Sequence, residues 1–356
     1  MVYKIYSFCL LSLLNFRFFR LSLDCVKKKI TITDIANIAG VSKTTISFYL
    51  NGKQDKMSEK TRNDIAMAIE KTGYKPSAAA RSLNSKRSHL LGVIVGDMAN
   101  EFANQVIRGI EDTANTKSYL AIIASSSFNP EKEKELVLSM VAMGVDGFIV
   151  QPSSNFEGTW KSLNIDLPIV YFDSPSSKDD QMYVKTDNYE VVYKTTDALV
   201  KKGYKHFVIV TKNPYNVQTR MDRNKGCIDA LDKYKIEHDV VVINSQTSAE
   251  MLKKKLLPLV KQKDTCVFAL KPSILRMCYS ILKPEINTTS KIGLIGFDYN
   301  EWCDLVSPSV TTIRQPAYKE GAAACKIIFS VVYGTNDEKK QQIINSTFVE
   351  RDSTKR

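Results

Sequence analysis

Near the start of the chain, apolar residues recur with the period of a helix. Ile35 and Ile38 share one helical face, and Ile46 and Leu50 share another a few residues later. Between them, Gly40 stands where a tight turn needs a positive φ or a close backbone approach. The pattern predicts two short helices joined by a glycine turn, which is typical of a helix-turn-helix that enters the major groove of DNA. Taken alone, it is also compatible with an ordinary helical hairpin in a hydrophobic core.

Capping signals mark the ends of these helices and of a third one. Thr31 with Asp34 fits a capping box, and Ser58 can cap a further helix that would end at Gly73. We therefore expect residues 26–74 to form a compact all-α headpiece.

Residues 75–89, which follow, are basic and contain little apolar surface. Pro76 suits a helix start and the alanines favour a short helix, but such a helix would be marginal in water on its own. We expect a hinge helix that becomes ordered on contact with an anionic partner; the alternative is a flexible linker.

From Leu90 onwards, apolar runs alternate with amphipathic stretches. The runs predicted to be buried strands are Leu90–Val95, Tyr119–Ala124, Val145–Val150, Leu167–Phe172, His206–Val210, Val240–Ile243, Thr265–Leu270 and Lys291–Phe297. The stretches with helical periodicity include Phe102–Thr116, Glu131–Met143, Tyr189–Lys201, Arg220–Tyr234 and Ala249–Val260. Such alternation predicts parallel sheets with helices on both faces, and the number of strands favours two sheets. We expect residues 90–356 to form a two-subdomain core that binds its ligand in a cleft at the carboxyl ends of the strands.

The formal net charge of +12 is concentrated near the start of the chain. Residues 26–89 contain 13 lysines and arginines against 5 acidic residues, whereas residues 90–356 are nearly neutral. This localised charge is the electrostatic footprint of a module that contacts phosphates. It also permits nonspecific nucleic-acid binding, although a neutral ligand-binding core would then have no role.

Residue types that carry catalysis or hold metals do not cluster in the sequence. The seven cysteines form no CxxC pair and no group with histidine at metal spacing, so we expect buried thiols in a reducing compartment. His89, His206 and His238 are isolated, and no nucleophile or phosphate-loop motif is present. We therefore expect no metal, no cofactor and no enzymatic activity.

Residues 1–25 include an apolar run, Phe8–Leu14, that resembles the core of a signal peptide. Asn15 and Arg17 interrupt this run before it reaches membrane-spanning length, and no cleavage site follows. Our hypothesis is that Val26 is the natural start, so that residues 1–25 are a non-native or disordered extension. The protein is then expected to be cytoplasmic, without a membrane partner.

Several separated motifs, all in the same order, resemble the lactose-repressor/galactose-repressor (LacI/GalR) family of bacterial transcription regulators. They are ITDIANIAGVSKTTIS, MSEKTRNDI, GYKPSAAARSL, VIRGIE, PEKEKE, VDGFIV, KTDNYE, LIGFD, TTIRQP and TFVERDST. The resemblance implies an N-terminal helix-turn-helix headpiece and a periplasmic-binding-protein-like α/β core of two parallel-sheet subdomains. It also implies a homodimer that represses carbohydrate catabolism and binds roughly palindromic double-stranded operator DNA and a sugar or sugar-acid effector.

The resemblance assigns a set of residues to the DNA interface. Lys43 and Thr44 match positions that read base edges, and Leu83 matches the hinge-helix leucine that wedges into the minor groove. The other assigned positions are Ser42, Thr45, Ser47, Phe48, Asn51 and Arg81. Phe48 departs from the family, in which arginine is common there. A phenylalanine contacts a thymine methyl but makes no bidentate contact to guanine, so we expect the operator to differ at that position.

The resemblance also places the effector between the two subdomains of the core. The assigned residues are Phe102, Gln151, Asp173, Asp187, Arg223 and Asp298, and two departures from the family pattern, Lys271 and Trp302, add to this predicted effector site. Asp173 and Asp298 match acceptors for sugar hydroxyls, and Arg223 matches the arginine that grips the effector. Lys271 replaces the usual asparagine, and two cations in the cleft would suit a carboxylate or a phosphate. Trp302 offers a ring face for a sugar.

Each of these assignments has a purely structural alternative. An aspartate at a strand end often caps a helix, and Arg223 or Lys271 could be a solvated surface charge. The GFDxxEW pattern that ends at Trp302, together with MSEKTR and KTDN, resembles a subgroup associated with hexuronate and 2-keto-3-deoxygluconate catabolism.

Two other classes of protein compete with a regulator. An exported sugar-binding protein would share the core, but it would need an export signal and would have no use for residues 27–87. A sugar-processing enzyme would need a catalytic constellation, which the sequence lacks.

Overall fold

The computed structural model describes residues 30–50, 52–74, 87–174, 181–213, 217–261, 264–288, 291–297 and 301–356. The chain divides into two compact units, residues 1–86 and residues 87–356. The predicted extension, residues 1–25, lies outside the described residues.

The first unit is a small helical domain with its own core. Its helices are α1 (Ile32–Ile38), α2 (Lys43–Leu50) and α3 (Glu59–Thr72). Ile35, Ile46 and Ile65, one from each helix, are fully buried against one another. The apolar faces predicted for this segment therefore form a common core, but the prediction was wrong for Ile38, which lies at the end of α1 and is 54% exposed.

The helix ends follow the predicted capping signals. The amide of Thr31 donates to Oδ2 of Asp34 at 2.8 Å while Oγ1 of Thr31 accepts the amide of Asp34, so the capping box is confirmed. Gly40 forms the turn with a φ of 65°. Ser58 caps α3, which ends at Gly73 in the left-handed conformation.

The second unit alternates strands and helices. Its strands are β1 (Leu90–Val95), β2 (Leu120–Ser125), β3 (Phe148–Val150), β4 (Ile169–Phe172), β5 (Tyr183–Thr186), β6 (His206–Lys212), β7 (Glu237–Ile243), β8 (Thr265–Ala269), β9 (Ile292–Phe297), β10 (Thr311–Arg314), β11 (Gln341–Ile344) and β12 (Thr347–Val349). Its helices are α4 (Glu101–Asn115), α5 (Pro130–Ala142), α6 (Phe156–Leu163), α7 (Asn188–Lys201), α8 (Gln218–Lys233), α9 (Ala249–Val260), α10 (Pro272–Thr288), α11 (Trp302–Leu305) and α12 (Ala317–Val332).

Within the described residues, these strands form two six-stranded sheets, which define a first and a second half of the unit. The first sheet has the order β11-β5-β4-β3-β1-β2, and all its neighbours are parallel. The second has the order β12-β10-β9-β8-β6-β7 and is parallel except for β12, which runs antiparallel to β10. The predicted two-sheet α/β fold is confirmed.

The chain passes between the two halves at three crossovers. It enters the second half at residues 186–188, returns at residues 314–317 to add α12 to the first half, and crosses again at residues 344–347. Each sheet is therefore completed by a segment distant in sequence. Because both sheets direct the carboxyl ends of their parallel strands towards the crossovers, a ligand cleft is expected there.

The predicted strands are present, but some of their ends differ. The run 145–150 becomes a strand only from Phe148, because Gly147 and the residues before it form the loop after α5. The strands β5, β10, β11 and β12 were not predicted. They are three or four residues long and each contains polar side chains, so they produce no apolar run.

Glycines allow two helix pairs to pack backbone against backbone. A Cβ atom at Gly321 of α12 would lie 2.0 Å from the carbonyl oxygen of Val106 on α4, and one at Gly109 would lie 2.1 Å from that of Tyr318. In the second half, a Cβ atom at Gly226 of α8 would lie 2.5 Å from a carbonyl oxygen of α7. These glycines fix the helix spacing beside each sheet.

The cysteines of the second unit are buried free thiols. Cys227, Cys266, Cys278, Cys303 and Cys325 are all in this state, as predicted for them. Burial raises the pKa of Cys227, Cys278 and Cys325 to about 12, so these thiols are unreactive near neutral pH.

Candidate functional site

The N-terminal turn of α2 presents polar groups to solvent. Oγ of Ser42 accepts the amide of Thr45 at 3.1 Å, so Ser42 caps the helix. Lys43 and Thr44 are exposed, whereas Ser47 is half-buried. An ammonium and a hydroxyl at a helix start can bind phosphate oxygens or base edges.

The ring of Phe48 is only partly exposed. Its side chain is half-buried, and the ammonium of Lys56 lies 5.3 Å from the centre of its ring. Only part of the ring is therefore free to contact a thymine methyl. The predicted DNA contacts Asn51, Arg81 and Leu83 lie outside the described residues.

In the second unit, a cleft lies between the two halves at the carboxyl ends of their strands. It is lined by loops that follow β1, β3 and β4 on one side and β6, β8 and β10 on the other. Five residues predicted for the effector site line it together: Phe102, Gln151, Asp173, Arg223 and Lys271. Its cavity of about 70 Å³ is well below the volume of a typical ligand site, so the cleft is closed.

On the wall of the first half, Gln151 and Asp173 form a rigid pair. Nε2 of Gln151 donates to Oδ2 of Asp173 at 2.6 Å, and its Oε1 accepts the amide of Gly96 at 2.9 Å. The amide of Asp173 donates to the buried carboxylate of Glu320 on α12 at 2.7 Å. The Gln151 side chain is thus oriented by the amide that follows β1, and the Asp173 carboxylate is held in turn by Gln151 and by the hydroxyl of Ser174.

Asp173 has two features that are common at functional positions. Its φ of 62° lies in the left-handed region, which a non-glycine residue adopts only where the surrounding structure holds it. Burial raises the pKa of its carboxyl group, although Arg223 and the hydrogen bond from Gln151 oppose that rise. A buried carboxylate facing a cleft is a candidate acceptor for ligand hydroxyls.

Arg223 connects the cleft to the crossovers. Its Nε donates to Oδ1 of Asn188 and its Nη2 to Oε1 of Gln315, both at 2.7 Å, and its Nη1 donates to the carbonyl of Leu270 at 3.2 Å. The guanidinium also lies 3.6 Å from the centre of the Phe297 ring. Arg223 is buried, so the alternative of a solvated surface charge is excluded.

Further hydrogen bonds join the crossovers to one another. Nε2 of Gln315 donates to Oγ1 of Thr186 at 2.8 Å, and the amide of Ser346 donates to Oδ1 of Asp187 at 2.7 Å. Asp187, which the resemblance assigned to the effector, thus binds the third crossover and does not line the cavity. This hydrogen bond connects the first crossover to the third.

The wall of the second half carries more positive charge than the sequence predicted. Besides Arg223 and Lys271, Lys212 and Arg220 line the cavity. Burial lowers the pKa of Lys271, and the nearby charges of Lys212 and Arg220 lower it further. Arg220 lies three residues before Arg223 on α8, a spacing that places both on one helix face and could have revealed it.

Trp302, which was predicted for the effector site, does not line this cavity. Trp302 packs beside Tyr279, with ring centres 5.3 Å apart, and contributes to the core of the second half. Its position therefore gives no support to the predicted stacking on a sugar. Asp298 lies outside the described residues.

A buried carboxylate fixes the loop that carries Gln151. Glu133 of α5 is fully buried and accepts the amide of Ser153 at 3.0 Å and its hydroxyl at 2.6 Å. Burial raises the pKa of Glu133, and its hydrogen bonds with Ser153 oppose this rise.

Because the pKa of Glu133 is higher in the folded chain than in the unfolded one, this residue makes the protein less stable as pH rises through the folded pKa. Glu133→Gln keeps an acceptor for the Ser153 amide and removes the charge. We expect urea unfolding to show the variant at least as stable as the parent at pH 7, with its advantage lost at lower pH. Glu133→Ala, which leaves that amide without its acceptor, should instead lose about 1–3 kcal/mol. A stability difference between the parent and Glu133→Gln that does not vary with pH would contradict this assignment.

The described part of the chain contains no group of three or more potential metal-ligating side chains. None of its helices is both long and apolar enough to cross a membrane.

Comparison with known proteins covers both units. Residues 31–77 match the family of bacterial regulatory proteins named lacI, and residues 91–336 match the periplasmic binding protein domain family. The HTH-type transcriptional regulator KdgR of Bacillus subtilis (strain 168) is 28% identical over 313 residues, which cover 85% of this chain and 91% of the relative. Catabolite control protein A of Staphylococcus aureus is 28% identical over 318 residues, which cover 88% of this chain and 94% of the relative.

Solved structures show the same fold. A LacI transcriptional regulator from Lactobacillus brevis has a TM-score of 0.67 at 25% identity, covering 73% of this chain and all of its own. The lac repressor dimer, bound to operator and the anti-inducer ONPF, has a TM-score of 0.79 at 19% identity, covering 92% of this chain and 99% of its own. With both units matched and the helix-turn-helix and two-half core in place, the chain belongs to the lacI family of bacterial regulatory proteins and is a DNA-binding transcriptional regulator.

Proposed function

We propose that the protein is a cytoplasmic repressor of carbohydrate catabolism, controlled by an acidic sugar that binds between the two halves of its core. The observation that carries the proposal is the position of Arg223. It lines the cleft and at the same time holds residues of the first and second crossovers. A ligand that contacts Arg223 therefore acts on the segments that set the relation of the two halves.

The acidic character of the effector follows from the charge of the cleft. Lys271 and Arg223 lie on one wall, and a carboxylate satisfies such cations more fully than a neutral hydroxyl does. Asp173 and Gln151, on the other wall, are suited to sugar hydroxyls. The similarity to KdgR agrees with the hexuronate and 2-keto-3-deoxygluconate subgroup suggested by the sequence motifs.

The closed cleft suggests how ligand and DNA affinity are linked. The hydroxyls of Ser174 and Thr219, one from each half, are 3.2 Å apart across the cleft, and the cavity between the two walls is only about 70 Å³. We propose that the effector enters a more open form and stabilises a different relation of the halves. A coupling of about 1–3 kcal/mol between the two states is sufficient for a several-fold change in operator affinity.

We further propose that the regulator is a homodimer. Each sheet ends in an edge strand with exposed apolar side chains, Leu120 on β2 and Val240 and Val242 on β7. Exposed edge strands of this kind are normally covered by a partner. A dimer presents two headpieces to the half-sites of a roughly palindromic operator, with Arg81 and Leu83 proposed to contact the minor groove between them.

The DNA-binding part of the proposal is tested with Lys43→Ala in full-length protein. We expect affinity for operator DNA to fall about tenfold or more, because the variant removes a base-edge contact. Affinity for random DNA should fall much less. The measurement is fluorescence anisotropy with both duplexes. Lys71→Ala is the control, because it also removes one positive charge, from an exposed position in the last turn of α3.

Adding sugar acids and neutral sugars to the same assay tests the effector. Release of the operator by a sugar acid supports the proposal. An equal loss of operator and random-DNA affinity in Lys43→Ala would contradict the role of Lys43, and release by neutral sugars alone would contradict the acidic effector.

A further inference from the structure

Positive charge in the cleft exceeds what a single carboxylate can neutralise. Four cationic side chains of the second half line it: Lys212 at the end of β6, Arg220 and Arg223 on α8, and Lys271 after β8. They come from three different loops or helices that converge at one strand edge. Such convergence is a property of the fold, because the carboxyl ends of parallel strands meet there.

Arg223 is largely committed to protein acceptors. Its Nε, Nη1 and Nη2 atoms donate to Asn188, Leu270 and Gln315, respectively, and the guanidinium lies over the ring of Phe297. These contacts orient the guanidinium and connect it to the crossovers. The remaining cations are therefore more available to a ligand than Arg223 is.

Lys212, Arg220 and Lys271 have few protein partners. Within the part of the chain that the structure describes, Lys212 and Lys271 form no ion pair with a carboxylate, and Nη1 of Arg220 donates only a long hydrogen bond, 3.3 Å, to the carbonyl of Asn213. All three are half-buried, so water screens their mutual repulsion incompletely. Burial and the neighbouring Lys212 and Arg220 lower the pKa of Lys271, which agrees with this crowding.

The acidic residues of the cleft do not balance these charges. Among the described lining residues, Asp97 and Asp173 are the carboxylates that face the four cations. Even with both ionised, two positive charges remain without a counter-charge. Unbalanced charge that is partly removed from water is costly unless an anion binds there.

We propose that the effector is a polyhydroxylated compound with two anionic groups, and that Lys271, Arg220 and Lys212 bind the second of them. This inference rests on the proposed function, since it concerns the ligand of the same cleft. Gln151 and Asp173 bind hydroxyls from the opposite wall. Arg223 binds the first anionic group and keeps its hydrogen bonds to residues of the crossovers. The second group is a phosphate ester or a second carboxylate; both supply oxygens that suit a guanidinium and two ammonium groups.

The primary test uses inorganic phosphate as the probe and needs no knowledge of the sugar. The melting temperature of the full-length protein is measured with phosphate and with chloride at equal ionic strength, at a mildly alkaline pH where phosphate is a dianion. We expect phosphate to raise the melting temperature of the parent by about 2 °C or more. Lys271→Gln and Arg220→Gln should each lose most of this rise. Arg276→Gln also removes one positive charge, but from an exposed position on α10, and this variant should keep the full rise in melting temperature.

An equal phosphate response in the parent, Lys271→Gln and Arg220→Gln would overturn the inference. Calorimetry then separates the two sources of the second anion. Gluconate carries one carboxylate, galactarate carries two, and 6-phosphogluconate carries a carboxylate and a phosphate. The inference predicts about tenfold tighter binding of one of the latter two than of gluconate, and Lys271→Gln should remove that advantage.

The outcomes separate this inference from the proposed function. If gluconate binds as tightly as galactarate and 6-phosphogluconate and releases operator DNA, the inference fails and the proposed function stands. If no acidic sugar releases operator DNA while a neutral sugar does, the acidic effector of the proposed function fails as well.

Discussion

Arg223→Ala is expected to lower the free energy of unfolding by about 3–5 kcal/mol and to abolish the response of operator binding to the effector. The substitution leaves the buried acceptors on Asn188, Leu270 and Gln315 without their donors. It also removes the positive charge that lowers the pKa of the buried Asp173 carboxyl and so partly offsets the effect of burial. Urea unfolding measures the first effect, and operator binding with and without effector measures the second.

Two further variants make this result interpretable. Arg223→Lys keeps the charge but not the planar fork, so it should retain part of the stability and lose the effector response. Lys225→Ala on the same helix removes an exposed ammonium paired with Asp229, and it should change neither property appreciably. A parent-like effector response in Arg223→Lys would show that the contacts with the crossovers do not transmit the signal.

Gly321→Ala is expected to destabilise the first half of the core by about 3 kcal/mol or more, or to prevent its folding. The added Cβ atom would lie 2.0 Å from the carbonyl oxygen of Val106, which belongs to a helix backbone and cannot rotate away. Relief requires α4 and α12 to separate, which would loosen the core between them and β1. Thermal and urea unfolding of the full chain measure the loss.

The matched control is Gly158→Ala. Gly158 lies within α6, where nothing approaches its added Cβ atom within 4 Å. Since alanine restricts the unfolded chain and favours a helix, this variant should be more stable than the parent by about 0.5–1 kcal/mol. If Gly321→Ala and Gly158→Ala changed the stability equally, close packing of α4 against α12 would be excluded as the cause of the effect at Gly321.

The strands that were predicted could be identified because each contains a run of consecutive apolar residues. β1 and β9 were identified almost to the residue, since five or six consecutive side chains of each are buried. β11 was missed because its exposed and half-buried positions alternate, leaving two isoleucines as its whole apolar signal. Its pairing with β5 depends on the rest of the first sheet, which short-range patterns do not encode.

The residues of the site were predicted from the family resemblance. The differences between the predicted and the observed site arise from tertiary contacts. Asp173, at a strand end, and Arg223, on α8, were assigned through the family resemblance, and both line the cleft. Gln315 lies inside one of the quoted motifs, yet only the fold shows that it joins Arg223 to Thr186. Trp302 carried a clear aromatic signal, but no sequence pattern shows that Tyr279 would lie beside it.

The late closure of the first sheet has a consequence during synthesis on the ribosome. The first half lacks α12 and β11 until every strand from β6 to β10 has been translated. A nascent first half therefore exposes the open edge of β5 and an uncovered apolar face while the second half is still being made. The segment from α12 to β12 completes both sheets at once, so the two halves become native together rather than one after the other. Premature termination before α12 would leave both halves as substrates for chaperones and proteases instead of releasing one stable domain.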